Sequence, residues 1–281
     1  MPTTIIHDSS LSRDAQSTLL KTFSGNLTEK GEYLLIRHEK HVEPDMLNTL
    51  RQQLCVDINT LPDTFLSNQV ALLITDMDST LISIECVDEI ADFLGIKDQV
   101  SEITESAMRG EIDFNTSLQK RVKLLKDLDY GVLDKVYQER LQLNPGAEKL
   151  ISSLHTNGIK TALVSGGFTY FTDRLKERLK LDFTLSNTLD IKNGRLTGSV
   201  LGNIVNGEVK AGFLKQLATE LDVDLNRTIA VGDGANDLLM MGMAGLGVAY
   251  RAKPKVQQQA DVVLNYSGLD AILHFLDTAD T

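Results

Sequence analysis

Beyond residue 70 the chain is a succession of short apolar runs separated by stretches of helical spacing, and that rhythm constrains the fold more than any single residue does. The runs at 70–75, 160–164, 228–231, 246–249 and 262–264 have the length and composition of strands, and the residues between them repeat apolar side chains at helical intervals. Strand–helix alternation builds βαβ units, whose crossovers place helices on both faces of a parallel sheet. The predicted fold class is therefore α/β, a doubly wound parallel sheet. Four of the runs stop at a polar or glycine-rich step: Asp76, Ser165-Gly166-Gly167, Gly232-Asp233-Gly234 and Asn265. Open parallel sheets bind ligands beyond the carboxyl ends of their strands, so chemistry is expected at these steps.

About eighty residues separate the first run from the second, far more than one crossover helix needs. Val87, Ile90, Ala91 and Leu94 share one helical face, and Leu118, Val122 and Leu125 share another. Residues 83–143 are accordingly predicted to be several helices forming a cap over the strand ends. Asn144-Pro145-Gly146 is predicted to start the next helix, with proline at its first position, and Asn157-Gly158 to stop it. Between 189 and 209, Asn193-Gly194 and Asn206-Gly207 lie among strand-forming residues and predict a small antiparallel insert. Residues 1–69 read as a separate small α/β domain, with a strand at 33–36, a helix over 44–54 carrying Met46, Leu47, Leu50 and Leu54, and a turn at Leu61-Pro62-Asp63. That unit holds no cluster of chemically useful side chains; it could bind a regulator or a second copy of the chain, giving a homodimer.

A net charge of −11 speaks against a nucleic-acid partner, which rewards basic surfaces. An acidic chain that handles an anion has to assemble positive charge locally, from a metal or a few chosen Lys and Arg side chains. Cys55 and Cys86 form no disulfide framework and no metal-ligand spacing, and both are expected to be small buried hydrophobes in a reducing compartment. The first residues have neither a basic nor an apolar leader segment, and no apolar run reaches membrane-spanning length. No membrane partner and a cytoplasmic location are expected.

Asp76-Met77-Asp78-Ser79-Thr80 follows the first core strand. Residues i and i+2 of an extended segment face the same way, so two carboxylates are placed to share one site. Close carboxylates repel unless a cation lies between them or one keeps a proton, and either arrangement suits a nucleophile paired with an acid–base group. Solvated acids at a strand end would read the same. Ser165-Gly166-Gly167-Phe168 lets backbone N–H groups approach an anion, or is a plain strand-to-helix turn. Gly232-Asp233-Gly234-Ala235-Asn236-Asp237 offers two acids and an amide to an oxygen-ligated divalent cation, with magnesium favoured because it shares its other positions with phosphate and water. Helix capping is a credible alternative for Asn236 or Asp237, and does less for Asp233, flanked by glycines. Lys210 stands near the start of a helix that continues through Phe213, Leu214 and Leu217, where it opposes the helix dipole unless an anion is near, or else points into water. Arg121 falls on the stripe of Leu118, Val122 and Leu125. An inward guanidinium wants a carboxylate, either from a ligand or from Glu85, which opens the first cap helix and is itself a candidate anchor for an amine; snorkelling is the other reading.

In this order the elements resemble the motifs of the haloacid dehalogenase (HAD) superfamily: Asp76-x-Asp78-x-Thr80 the first, Ser165 the second, Lys210 the third and Gly232-Asp233-Gly234-Ala235-Asn236-Asp237 the fourth. Ile84-Glu85-Cys86-Val87-Asp88-Glu89-Ile90-Ala91, Ala107-Met108-Arg109-Gly110 and Ser117-Leu118-Gln119-Lys120-Arg121-Val122 are similar to the cap of the bacterial phosphoserine phosphatases within that superfamily, as is Val164-Ser165-Gly166-Gly167-Phe168 to their core. The resemblance covers 70–281 and leaves the first 69 residues outside it. It implies a HAD core with the cap inserted after the first core strand, and hydrolysis of O-phospho-L-serine through an aspartyl-phosphate, the last step of serine biosynthesis. By the same resemblance Asp76 is the nucleophile and Asp78 the general acid, then base. Mg2+ sits on the Asp76 carboxylate, the Asp78 backbone carbonyl and Asp233, with Asp237 in support. Ser165, the Gly166 amide and Lys210 hold phosphoryl oxygens, and Asn236 touches substrate or phosphate. Glu85 and Arg121 take the substrate ammonium and carboxylate, and Met108 and Phe114 wall the pocket. Two rivals share the scaffold: a phosphotransferase to an alcohol such as homoserine, and a non-catalytic amino-acid sensor, whose mark would be a lost nucleophile or metal ligand. Neither is lost. A dehalogenase has no need of Asp78 as an acid, and a P-type pump would need membrane spans.

Overall fold

The structure, a computed structural model, describes residues 2–40, 42–108 and 111–276, and of Pro44 and Met108 the backbone alone. The chain opens with β1 (Thr3–Ile6), α1 (Arg13–Phe23), β2 (Asn26–Lys30), β3 (Tyr33–Arg37), α2 (Pro44–Leu54) and β4 (Ile58–Thr60). These strands form an antiparallel sheet in the order β2-β3-β1-β4, a βαββαβ arrangement. Alternation along the strands gives the sheet two apolar faces. Ile6, Leu34, Ile36 and Ile58 pack with Leu19, Phe23 and Leu50 of the two helices, whereas Ile5, Tyr33 and Leu35 join the core of the rest of the protein.

The remaining walk runs through β5 (Leu72–Thr75), the cap helices α3 (Cys86–Asp92), α4 (Lys97–Met108), α5 (Phe114–Leu124) and α6 (Gly131–Glu139), then α7 (Ala147–Thr156), β6 (Lys160–Phe168), α8 (Thr169–Leu179), β7 (Phe183–Lys192) and β8 (Arg195–Leu201). It ends with α9 (Gly207–Glu220), β9 (Thr228–Gly232), α10 (Leu238–Met243), β10 (Leu246–Tyr250), α11 (Pro254–Gln257) and β11 (Val262–Leu264). The second sheet has seven strands in the order β11-β10-β9-β5-β6-β7-β8, parallel except at β8, which bears out the doubly wound α/β expectation. Every residue of β5 is buried, as a strand covered on both faces requires. Leu73 joins the apolar cluster that includes Ile229 and Leu163, while Leu72 and Ile74 join Leu214, Leu217 and Met240 on the opposite face. The strand order reverses beside β5, since the chain goes on to β6 on one side and later to β9 on the other. The crevice at that reversal is where an open sheet receives its ligand.

Five expectations are corrected in detail. Asn144 does not start a helix: α7 begins at Ala147 after Gly146, whose φ of 81° suits glycine, and the Asn144 side chain instead donates to the carbonyls of Thr80 (2.8 Å) and Ile82 (3.1 Å). Asn206-Gly207 is not a hairpin turn, because Asn206 caps α9 by accepting from the Val209 N–H at 3.1 Å. Asn193-Gly194 does turn the β7–β8 hairpin, with φ of 51° and 74°, but that hairpin extends the main sheet rather than standing apart from it. Leu94 is exposed beyond the end of α3, and Cys55 is exposed after α2; only Cys86 is the buried thiol expected. No helix among the described residues is long and apolar enough to cross a membrane.

The N-terminal sheet is tied to the main one by side chains acting as backbone. Asn59 accepts from the Val263 N–H at 2.8 Å and donates to the Val263 carbonyl at 2.9 Å, a mimic of a strand pair. Asp57 accepts from the N–H groups of Asn265, Tyr266 and Ser267 at 2.8–3.0 Å. Beside them His7 accepts at Nε2 from Asn59, so its Nδ1 carries the proton shared with His274 Nδ1 at 3.0 Å. Burial first, then His274 and Arg51, hold the His7 pKa well below its ordinary value. In the unfolded chain His7 takes up its proton near pH 6.5, so below that pH the unfolded state binds more protons and this contribution to stability is lost as pH falls. Stability of wild type relative to His7→Gln is expected to shrink between pH 7.5 and 5.5, by at most about 1.4 kcal/mol per pH unit. Denaturant unfolding at each pH checks this; a difference that stays constant would mean that His7 is not held neutral.

Candidate active site

β5 ends by presenting Asp76 at the centre of the crevice, with its N–H on the Val231 carbonyl at 2.9 Å. The next residue, Met77, turns into the core and is fully buried, so Asp76 and Asp78 both come to line one cavity, as alternation predicts. The chain then tightens into a turn over Met77–Leu81, with Ser79 at φ 57°, rather than continuing as an extended segment. That turn aims two further groups. Ser79 Oγ donates to Glu85 Oε1 at 2.7 Å, and Thr80 Oγ1 donates to Asp233 Oδ1 at 3.4 Å.

Lys210 resolves the dipole conflict noted for the start of α9. Its Nζ lies 2.7 Å from Asp76 Oδ1 and 2.7 Å from Asp237 Oδ1, with no exposure of the lysine at all. Lys210 Nζ donates to Asp237 Oδ1, and its approach to the buried Asp76 Oδ1 is an ion pair. Burial by itself would lower the Lys210 pKa, but Asp237 and Asp76 outweigh it and hold the ammonium charged. The acids fare less well. Burial and then Asp237 raise the Asp76 pKa despite Lys210, and burial followed by Asp237 and Glu85 pushes Asp233 up to about 7. Asp78 is likewise pushed up to about 7, by burial and then Glu85, against the N–H that Cys86 donates to it at 3.3 Å.

Ligand oxygens of Asp76, Asp233 and Asp237 lie within 4.8 Å of one another. Three hard oxygen donors, two of them sharing the Lys210 ammonium, are short of positive charge, and a divalent cation fits that donor set. Around them opens a cavity of about 490 Å3. Ser165, Gly166 and Asn236 line it from the core, and Glu85, Phe114 and Arg121 from the cap. Ser165 Oγ accepts from the Gly167 N–H at 2.8 Å, while β6 runs on through the glycine pair to Phe168 instead of ending at Val164. A side chain at Gly166 would meet the Phe114 ring at 2.7 Å, so the cap closes onto bare backbone there. Lys210 and Asp237 stand behind this surface rather than on it.

A family profile for haloacid dehalogenase-like hydrolases matches residues 70–245. The chain belongs to that family. Curated relatives include a phosphoserine phosphatase of Vibrio cholerae, 48% identical over 82% of this chain and 70% of its own length, and one of Polaromonas, 50% identical over 79% and 96%. A solved HAD family hydrolase from Salmonella enterica serovar Typhi is 33% identical, with a TM-score of 0.89 over 99% of both chains, so its likeness extends through the βαββαβ sheet.

In this HAD hydrolase the site residues read from the sequence line the cavity or, as Lys210 and Asp237, stand behind it, while the Met108 side chain, with Arg109 and Gly110, lies outside the described residues. Arg121 is not paired with Glu85 among the described residues. Glu85 accepts from Ser79, and Arg121 Nε is buried without a partner. Some groups gave no usable sequence signal. Asn187, in mid-strand β7, donates to the Gly166 carbonyl at 2.8 Å and accepts from the Val205 N–H at 2.9 Å, holding the glycine step to the loop before α9. Asp88, Thr104 and Lys253 also reach the cavity, and as isolated letters within helical stripes or loops they could not be told from surface residues. Lys210→Met keeps the stem and deletes the ammonium, leaving Asp76 and Asp237 buried without their cation. Chemical denaturation is expected to register a loss of about 3–5 kcal/mol. A loss below about 1 kcal/mol, the size of an exposed pair, would mean that Lys210 does not hold the two acids.

Proposed function

We propose that this HAD hydrolase removes the phosphoryl group from O-phospho-L-serine, giving L-serine and phosphate. The observation that carries the reading is the polarity of the cavity between core and cap. A charged phosphoryl-handling end formed by Asp76, Asp78 and Ser165 faces a cap end where Glu85 and the buried Arg121 offer one carboxylate and one guanidinium. Phosphoserine is matched at both ends: phosphate for the core, ammonium for Glu85, carboxylate for the planar fork of Arg121. The identity of the curated relatives supports the same substrate.

In this reading Asp76 attacks phosphorus in line and the bond to the serine oxygen breaks. Asp78, held near pKa 7 by its buried surroundings, gives its proton to that leaving oxygen. Having lost it, Asp78 takes a proton from the water that then attacks the phosphoryl group on Asp76, which returns as a free carboxylate. Ser165 Oγ and the Gly166 N–H orient the phosphoryl oxygens, and Lys210 aims Asp76 and opposes the rise in its proton affinity. Mg2+, held by Asp76 and Asp233 with Asp237 in support, would supply the positive charge that developing phosphoryl charge requires. The cap excludes water from the acyl-phosphate. Its two free cysteines suit work in the cytoplasm.

Phosphate release from a panel of phosphomonoesters, with magnesium and with EDTA, tests the proposal. Preference for phosphoserine, abolition by EDTA and a loss of at least about a thousandfold in Asp76→Asn are expected. Metal-dependent release without the preference would keep the chemistry and overturn the substrate. Formation of a new phosphomonoester on adding homoserine would favour the phosphotransferase.

A further inference from the structure

Five carboxylates line the cavity, and four have partners there. Asp76 is ion-paired with Lys210, Asp78 accepts from the Cys86 N–H, Glu85 from the Ser79 hydroxyl and Asp233 from the Thr80 hydroxyl. Asp88 is the fifth. Its Oδ1 is buried and has no hydrogen-bond partner, and on the neighbouring cap helix α5 the Nε of Arg121 is in the same condition. Leaving a buried donor or acceptor unmet is costly, and here one atom of a cation and one of an anion are both unmet in one wall. A ligand in the cavity cannot satisfy Nε, because that atom has no accessible surface, so its partner has to come from the protein. Asp76 Oδ1, also without a hydrogen bond, is ion-paired with Lys210, which leaves Asp88 as the cavity acid whose buried oxygen has neither a hydrogen bond nor an ion pair. Asp88 stands one helical turn after Glu85 on the same face, and α3 packs against α5. Burial raises the Asp88 pKa, and the charge of Arg121 opposes that rise, so the two groups already feel each other.

We propose that Asp88 is a positioning residue for Arg121: with ligand in the cavity, Arg121 Nε donates to Asp88 Oδ1, and this turns the Nη1–Nη2 edge of the guanidinium toward the ligand carboxylate. Glu85 and Asp88 then divide the work, Glu85 meeting the ligand ammonium and Asp88 meeting the protein's own cation. The inference rests on the reading of Arg121 as the carboxylate anchor.

The test compares O-phospho-L-serine with O-phosphoethanolamine, which has the phosphate and the ammonium but no carboxylate, each as substrate or as competitive inhibitor. Asp88→Ala is expected to raise KM for phosphoserine about tenfold with kcat nearly unchanged, and to leave the values for phosphoethanolamine as in wild type. Asp88→Asn retains an acceptor oxygen without the charge and is expected to restore part of that loss, leaving about threefold. In an Arg121→Ala background neither substitution adds anything further. Equal effects on both compounds, or effects that add to Arg121→Ala, would overturn the proposal and make Asp88 an ammonium ligand or a purely structural acid. If Asp88→Ala does not fold by circular dichroism, Asp88→Asn decides alone, and an unchanged ratio between the two compounds counts against the proposal. Arg121→Ala that keeps its preference for phosphoserine would instead sink the reading of Arg121 itself, an outcome visible without touching Asp88.

Discussion

The buried ammonium of Lys210 is the interaction on which the architecture of the site depends. It reaches from α9 to Asp76 at the end of β5 and to Asp237 at the start of α10, so three elements are referred to one atom. Taking such charges out of water costs several kcal/mol per ion, and the attraction offsets this only with close geometry on more than one side. Two carboxylates at 2.7 Å meet that condition for the lysine. They do not meet it for the acids, because Lys210 has to serve both Asp76 and Asp237, and Asp233 is left with the weaker pull of Lys253 and Lys210. Burial first, and then the neighbouring acids, raise the proton affinity of Asp76 and Asp233. The site is therefore short of positive charge by construction, which is what a divalent cation would supply.

The turn after β5 joins this charged centre to the cap. Ser79 and Thr80 are consecutive, yet the positive φ of Ser79 sends their hydroxyls to Glu85 of the cap and Asp233 of the core. The two chain segments entering and leaving the cap are paired at Ile82 and Leu143, and Asn144 clasps the carbonyls on either side of Leu81. Anything that moves the cap thus pulls on the residues that aim the acids. The N-terminal sheet reaches the same region from behind. Asp57 holds the loop after β11, and the segment beyond that loop packs on α7, where the Leu269 N–H bonds to the Pro145 carbonyl at 2.8 Å, next to Asn144.

Much of the fold was readable because burial on both faces leaves a strand no polar positions. The run ending at Asp76 could hardly be anything but a central parallel strand, and the acids and glycines that stop such runs mark the ends of strands where ligands bind. Helices with one apolar stripe were equally plain, and α2 lies where its spacing put it. Short-range signals were weaker wherever a side chain serves a distant partner. Asn144 and Asn206 look alike before a glycine or proline, but one braces the cap hinge and the other caps α9. Asn59 and Asp57 resemble loop residues, and their bonds run to residues more than 200 positions away.

By itself, then, the sequence determined which residues could do chemistry and on which strand ends they stand, because side-chain alternation and strand termination are local properties of the chain. Tertiary structure alone decided what surrounds them. Whether Lys210 met water or two carboxylates, whether Glu85 went to Arg121 or to Ser79, and whether Asp88 belonged to the surface or to the cavity all turn on contacts between separate elements. Proton affinity and hydrogen-bond need follow from burial and neighbouring charge, and neither quantity exists until those elements are packed together.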